Sequence, residues 1–201
     1  QLSSNQASSG RGSVKNSFLI VFGVWIGAFV ILMLLTGQAS RAQSANTLPS
    51  GGLIVSGSGR IDQNGNSLTV TQNTDKMIAQ WGSFNIGQNA SVQFKQPGAS
   101  SVALNRILDA NPSQILGSLT ANGQVLLINQ AGVYFGPNAT VNVGGIVASS
   151  LDIADADFLA GRYHFAGDTG KVVNQGAIKV GSGGVVALLS PSVENDGTIS
   201  A

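Results

Sequence analysis

The feature that most restricts this chain is an echo at short period. Asn174, Gly176 and Ile178 of NQGAIKV return 21 residues on as Asn195, Gly197 and Ile199 of NDGTISA. IGQNASVQF at 86–94 returns, degenerate, as FGPNATVNV at 135–143, and GQVLLI at 123–128 returns as GVVALL at 184–189. The units share one grammar, Asn and Gly at a corner and then alternating aliphatics. Short β-prone runs recur between such corners: 53–55, 68–71, 91–94, 102–104, 125–128, 133–135, 140–143, 172–173, 177–180 and 185–189. Interruption every few residues by Gly, Asn, Ser or Thr disfavours long helices. Only Pro112–Leu119 and Ile153–Leu159 read as a helical turn or short helix.

A period near twenty with three short strands in it predicts a parallel β-helix. Coils stack at about 4.8 Å, with aliphatic side chains in inward columns. Glycine takes positive φ at corners, and Asn bonds its own turn. The fold class expected is therefore all-β, a right-handed parallel β-helix of about seven or eight coils. A β-sandwich is the rival, disfavoured by the 21-residue echo and by strands that are aliphatic rather than aromatic. An open solenoid end presents unpaired backbone. Leu48 to Val70 lack the repeat grammar and are expected to form an N-terminal cap. The strand-like unit ending at Ala201 has no cap of its own, and the expectation is that the coils continue in a longer protein.

Before the repeats lies a different kind of sequence. Residues 18–35 read FLIVFGVWIGAFVILMLL, preceded by Arg11 and Lys15 and followed by TGQASRAQSA. A positive start, an apolar middle and a small-residue exit describe a secretory signal. Ser40-Arg41-Ala42 offers the cleavage site. A retained membrane anchor is the alternative, because eighteen apolar residues just span a bilayer. The expected organisation is a signal peptide at 1–42 and a β-helix domain at 43–201.

Charge and composition then exclude whole classes. Residues 43–201 hold seven Lys and Arg against nine acids, a near-neutral balance without the basic stripe of a nucleic-acid binder. There is no cysteine, so no disulfide frame, zinc–thiolate site or thiol nucleophile exists. An exported chain without thiols also cannot be cross-linked on the way out. The lone His164, in GRYHFAG, leaves no histidine metal cluster and reads as a strand or loop residue.

Residues 104–136, LNRILDANPSQILGSLTANGQVLLINQAGVYFG, resemble the N-terminal secretion domain of the filamentous haemagglutinin family, the exported partner in two-partner secretion (TPS). Leu104-Asn105-Arg106, Ser113-Gln114-Ile115, Gly117, Leu119 and Ala121-Asn122-Gly123-Gln124-Val125 match the family's motifs. The Asn-Pro-Asn-Gly position reads Asn129-Gln130-Ala131-Gly132, and the upstream Asn-Pro-Asn-Leu motif has no clear counterpart. The resemblance implies a secretion-signal domain of a large adhesin or haemagglutinin, not an enzyme. It implies export through the periplasm of a Gram-negative bacterium to the surface or medium. It also implies recognition by the periplasmic repeats of a dedicated outer-membrane β-barrel, and folding outside the cell. A host receptor or glycan would be met by a region beyond this one. The residues implied in recognition are Asn105, Arg106, Asn122, Gly123, Asn129 and Gly132.

Two other functions remain open. One is a carbohydrate-active β-helix enzyme, which needs acids from adjacent coils on one face; Asp62, Asp75, Asp109 and Asp168 follow no common period. The other is a haem- or protein-capturing exoprotein using the same secretion domain. Asp152, Asp155 and Asp157 lack the glycine turn and fourth acid of a calcium loop and read as a solvated loop or helix start. Arg106 reads as an ion-pair partner of a nearby acid or as a contact to the transporter. Gly181–Gly184, Asn89-Ala90-Ser91 and Asn138-Ala139-Thr140 read as turns, and Trp81 and Phe84 as core or cap. No cofactor or metal is expected.

Overall fold

The computed structural model describes residues 43–201. The apolar run, the cleavage site and the choice between signal and anchor lie outside the described residues. The described chain is a parallel β-solenoid of about 6 turns.

An antiparallel cap opens it. β1 (Leu53–Ser56) pairs antiparallel with β4 (Lys76–Trp81), and β2 (Gly59–Asn64) pairs antiparallel with β3 (Ser67–Gln72). The expected cap is thus present, but it ends before β3, which already stacks in parallel as the first rung. The coils follow as β3–β4, then β5 (Ser91–Lys95), β6 (Val102–Ile107) and β7 (Ser113–Ile115), then β8 (Ser118–Ala121), β9 (Gln124–Asn129) and β10 (Val133–Phe135). The fourth coil runs β11 (Thr140–Val143), β12 (Gly145–Ser149), then an excursion with β13 (Asp152–Ile153), α1 (Asp155–Leu159) and β14 (Phe165–Ala166), and closes with β15 (Val172–Asn174). The last rungs are β16 (Ala177–Val180), β17 (Val186–Leu189), β18 (Val193–Asn195) and β19 (Thr198–Ser200).

Three sheets make the walls. The first has the order β1-β4-β6-β9-β12-β17, the second β19-β16-β11-β8-β5-β3-β2 and the third β18-β15-β10-β7. In the second sheet one interior column reads Leu68, Val92, Leu119, Val141, Ile178, Ile199 from coil to coil. Outward residues between them, such as Gln93, Lys95 and Asn142, are exposed, so these strands alternate in the period-two manner of a half-buried strand.

All three sequence echoes coincide with stacking register. Asn174 lies beside Asn195 and Ile178 beside Ile199 on adjacent coils. Val125 and Val186 share a column through Ile146. Val92 and Val141 share one through Leu119, two coils apart.

Two expectations require correction. Pro112–Leu119 is not helical: Ser113 and Ile115 face inward as β7, Gly117 makes the corner, and Leu119 enters the interior on β8. Ser113 and Ile115 sit at strand spacing, two apart, and this decides the local geometry. The coil number is also about 6 rather than seven or eight. The cap and the 22-residue excursion between β12 and β15 consume chain without adding rungs. The short helix expected in 153–159 is α1.

Candidate functional site

β6 and β9 place most of the motif residues, and their burial is continuous rather than alternating. A strand buried on both faces has this pattern. Ala103 and Ile107 point into the solenoid core, while Val102 and Leu104 join a second cluster outside it with Leu126, Ile128, Ile153 and Phe158. The excursion between β12 and β15 is therefore a strap laid across the outer face of the first sheet.

Asn105 occupies the interior column between Ala79 and Leu127 and is wholly buried. Its Oδ1 accepts from Trp81 Nε1 at 3.0 Å, and its Nδ2 donates to Leu126 O and Ala103 O at 3.3 Å. A mid-strand polar residue in an apolar interior is tolerable only when paired, and here it links coils one, two and three. It does not fix a turn. Trp81 meets Phe84 edge-on at 5.2 Å, both fully buried, which places this pair in the core.

Arg106 points the opposite way, onto the strap. Nε donates to Asp152 at 3.1 Å, Nη1 to Asp155 at 2.5 Å and Nη2 to Ile153 O at 2.5 Å. Its side chain is 15% exposed. Burial alone would lower the pKa of this guanidinium, but the hydrogen bond to Asp155 and the charge of Asp152 together hold it above its ordinary value. Of the two roles open for Arg106, the structure shows the ion pair. Asp157 in turn pairs with Arg162 at 2.6 Å. The acidic triplet is thus held by two arginines, Asp152 on β13 and Asp155 and Asp157 in the first turn of α1, where carboxylates also suit the helix dipole.

Asn122 and Gly123 form one corner. Asn122 Oδ1 accepts from Gln96 N and its Nδ2 donates to Gln96 O, both at 2.8 Å, as a backbone segment would. Gly123 N donates to Gln96 Oε1 at 3.0 Å, and Gln96 Nε2 reaches Gln72 Oε1 at 3.0 Å. A Cβ on Gly123 would come within 2.7 Å of both Gln96 Oε1 and Ser101 O, so only glycine fits. Gln72 and Gln96 escaped the sequence reading. Their signal is a glutamine at the end of an alternating strand in two successive coils, 24 residues apart.

Asn129 and Gly132 form the next corner. Asn129 is wholly buried; its Nδ2 donates to Asn111 O and Ser113 Oγ at 3.0 Å, and its Oδ1 accepts from Ala131 N at 2.9 Å. Gly132 N donates to Asn129 O at 2.8 Å, closing the turn that replaces Asn-Pro-Asn-Gly. Gly132 has φ +119, and a Cβ there would meet Lys171 O at 2.5 Å. Beside this corner lies an open groove of about 670 Å³ bordered by Arg106, Leu108, Asp109, Gln130, Ala131 and Thr169.

All six motif residues make contacts within the fold; Asn105, Gly123, Asn129 and Gly132 are buried, Arg106 is half-buried under the strap, and Asn122 is exposed at its corner. His164 sits exposed on the strap, and no group of three potential metal-ligating side chains occurs among the described residues.

Comparison with known proteins places these features. A family model described as TPS secretion domain matches residues 45–201. A heme/hemopexin-binding protein of Haemophilus influenzae strain Rd is 36% identical over 179 residues, covering 85% of this chain and 20% of that protein. A second heme/hemopexin-binding protein of H. influenzae is 37% identical over 139 residues, covering 68% of this chain and 15% of that one. The crystal structure of the HMW1 secretion domain from H. influenzae superposes with a TM-score of 0.71 at 36% identity, covering 75% of this chain and 41% of that one. The chain thus spans a fifth or less of the length of the curated relatives it matches.

Proposed function

The chain belongs to the TPS secretion-domain family, and from that premise we propose that it is the export signal of a larger exoprotein, read by a dedicated outer-membrane β-barrel. The observation that supports the manner of reading is burial. Asn105, Gly123, Asn129 and Gly132 are hidden in the folded domain, and Arg106 and Asn122 are engaged within it. A partner that contacts the four buried residues does so while the chain is still unfolded in the periplasm. There an extended segment adds a strand to a sheet edge of the barrel's periplasmic repeats, with backbone bonds supplying affinity. Folding outside then buries Asn105, Gly123, Asn129 and Gly132. The surface that the transporter held ceases to exist, so the step back is closed without nucleotide hydrolysis. Coil stacking supplies the free energy, because each rung buries the apolar face of the one before.

Asn129→Asp alone does not separate recognition from stability. A carboxylate there faces Asn111 O and Ser113 Oγ in a buried site, with no amide hydrogen to give them. The separating experiment measures capture of urea-unfolded, freshly diluted chain by the purified periplasmic repeats. Asn122→Ala and Asn129→Ala are expected to weaken capture by about ten-fold, a difference of about 1.4 kcal/mol. Leu127→Ala, which damages the fold at least as much, is expected to leave it unchanged. Equal capture of all four chains would remove these asparagines from recognition.

The same premise supports a non-enzymatic role, since the family is a secretion domain and the relatives are named for binding. The passenger that this domain exports is, as a second reading, a haem- or haem-protein-capturing exoprotein. Two heme/hemopexin-binding relatives favour it over an adhesin. Haem or hemopexin retained by the full secreted protein, compared with its adhesion to host cells, decides between the two.

A further inference from the structure

Two Asn-Gly steps occur in the chain, Asn64-Gly65 and Asn122-Gly123. Asparagine is a thermolabile side chain, and a following glycine makes it more so. With no Cβ on the next residue, the backbone nitrogen of that residue can approach the side-chain amide closely. The nitrogen attacks Cγ and gives up its proton, the Cγ–Nδ2 bond breaks, and ammonia leaves. Water then opens the cyclic imide at either carbonyl. The product is aspartate, or isoaspartate with the backbone routed through the side chain. Nothing besides water is consumed. The reaction needs a free nitrogen, a free amide and a backbone able to bring them together.

The folded corner withholds all three at Asn122, and Gln96 on the preceding coil is the agent. Gln96 N donates to Asn122 Oδ1 and Gln96 O accepts from Asn122 Nδ2, both at 2.8 Å, so the amide is held against the neighbouring coil. Gly123 N, the nucleophile, donates its hydrogen to Gln96 Oε1 at 3.0 Å. Gln96 is itself fixed, since its Nε2 reaches Gln72 Oε1 at 3.0 Å and Ser101 O and Gln124 O at 3.1 Å. Gly123 has no room to turn, with Gln96 Oε1, Ser101 O and Gly98 O crowding the place of a Cβ. Asn122 is nonetheless exposed, so hydrogen bonding rather than exclusion of water is what holds it. Asn64-Gly65 is the contrast. It leads into the two-residue turn between β2 and β3, both residues are exposed, and a Cβ on Gly65 would meet nothing within 4 Å.

We propose that Asn122-Gly123 is a site of spontaneous deamidation, open in the unfolded chain and closed by folding, and that Gln96 is the residue that closes it. The consequence runs one way. An acid at 122 has no amide hydrogen for Gln96 O and sets a charged oxygen against that carbonyl. Isoaspartate adds a backbone atom just before Gly123, whose carbonyl accepts from Gly144 N at 2.8 Å on the next coil. A shift there passes to the next rung, because each rung is placed by its neighbour. A chain kept unfolded thus loses the ability to close this corner, while a chain that has folded keeps it. The inference is separate from the secretion reading, which says only where unfolded chain is met.

The test follows both Asn-Gly steps by peptide mass spectrometry in the purified protein, held folded in buffer or unfolded in guanidinium at one pH and temperature. Asn122 is expected to convert at least about a hundred-fold more slowly in the folded protein, as a group that reacts only through rare local opening does. Asn64 is expected to slow by less than about ten-fold. Gln96→Met removes the acceptor of Gly123 N and is expected to raise the folded rate at Asn122 by about ten-fold or more. Should that variant not fold, the comparison of the two steps in the parent decides alone. Parent aged in guanidinium is then refolded. Chains converted at 122 are expected in the unfolded fraction, and chains converted at 64 alone in the folded one. Equal rates at Asn122 in the two states, equal slowing at the two steps, or a folded Gln96→Met that reacts no faster than the parent overturns the proposal. Refolding of chains that carry an acid at 122 overturns its consequence.

Discussion

Coils two and three and the last coil obey the same grammar and have opposite surroundings. β6 and β9 are buried almost end to end, sandwiched between the solenoid interior and the strap. Among the described residues β17 is half-buried throughout, and β19, which pairs there with β16, is exposed at all three residues. Ile199 repeats the corner-and-aliphatic pattern of Ile178, yet it is 41% exposed against 1%. What differs is the number of neighbours above, below and outside. In a solenoid a rung's stability is its own term plus its interfaces, so identical local sequence carries different free energy at different positions.

The largest expected effect is on buried volume. Leu127→Ala removes a fully buried side chain from between Asn105 and Ala148. It is expected to cost about 2–5 kcal/mol of unfolding free energy in urea titration. Ile199→Ala, in the last described rung, is expected to cost under about 1 kcal/mol when residues 43–201 are titrated alone, in keeping with its exposure there. Similar losses at the two positions would show that the coils unfold as one unit whose rungs share stability evenly.

Next comes polar satisfaction. Asn105→Leu strands Trp81 Nε1 without an acceptor in the interior and is expected to cost about 1–3 kcal/mol. Asn195→Leu deletes an Asn174 to Asn195 bond of 2.7 Å that lies within reach of water and is expected to cost less than about 1 kcal/mol by the same measurement. The smallest effect is electrostatic. Glu194 accepts from Lys171 at 2.5 Å on the open coil. That hydrogen bond, with another involving Asp196 and the charge of Lys171, holds the Glu194 carboxyl below its ordinary 4.5. A lowered carboxylate contributes stability at pH above its unfolded value and loses it as pH falls through the folded one. The Glu194 side-chain carbon shift should therefore titrate below 4.5, and Lys171→Met should return the midpoint toward it. A midpoint unmoved by that substitution would remove the pair from the description.

The outcome separates what was readable in residues from what was not. The repeat spacing placed strands, corners and stacking partners, down to Val125 beside Ile146 and Val186. Glycine and asparagine marked the corners that Gly123, Asn129 and Gly132 make. The motif residues were legible as a set, but their directions were not. Asn105 and Arg106 are adjacent, and one goes into the core while the other grips the strap. Pro112–Leu119 holds inward positions two apart, too few to display a strand period, and pairing of β7 with β10 and of β8 with β5 and β11 completes the strands.

Sequence alone determined the periodic part: the all-β solenoid, its columns and its turns. These depend on contacts that recur every twenty-odd residues between like segments, and periodicity displays such contacts in the text. The tertiary structure decided the aperiodic part. Arg106 meets Asp152 across 46 residues and Lys76 meets Leu159 across 83. A single pairing at that separation leaves no repeating mark, because loop closure fixes it only after the coils have stacked.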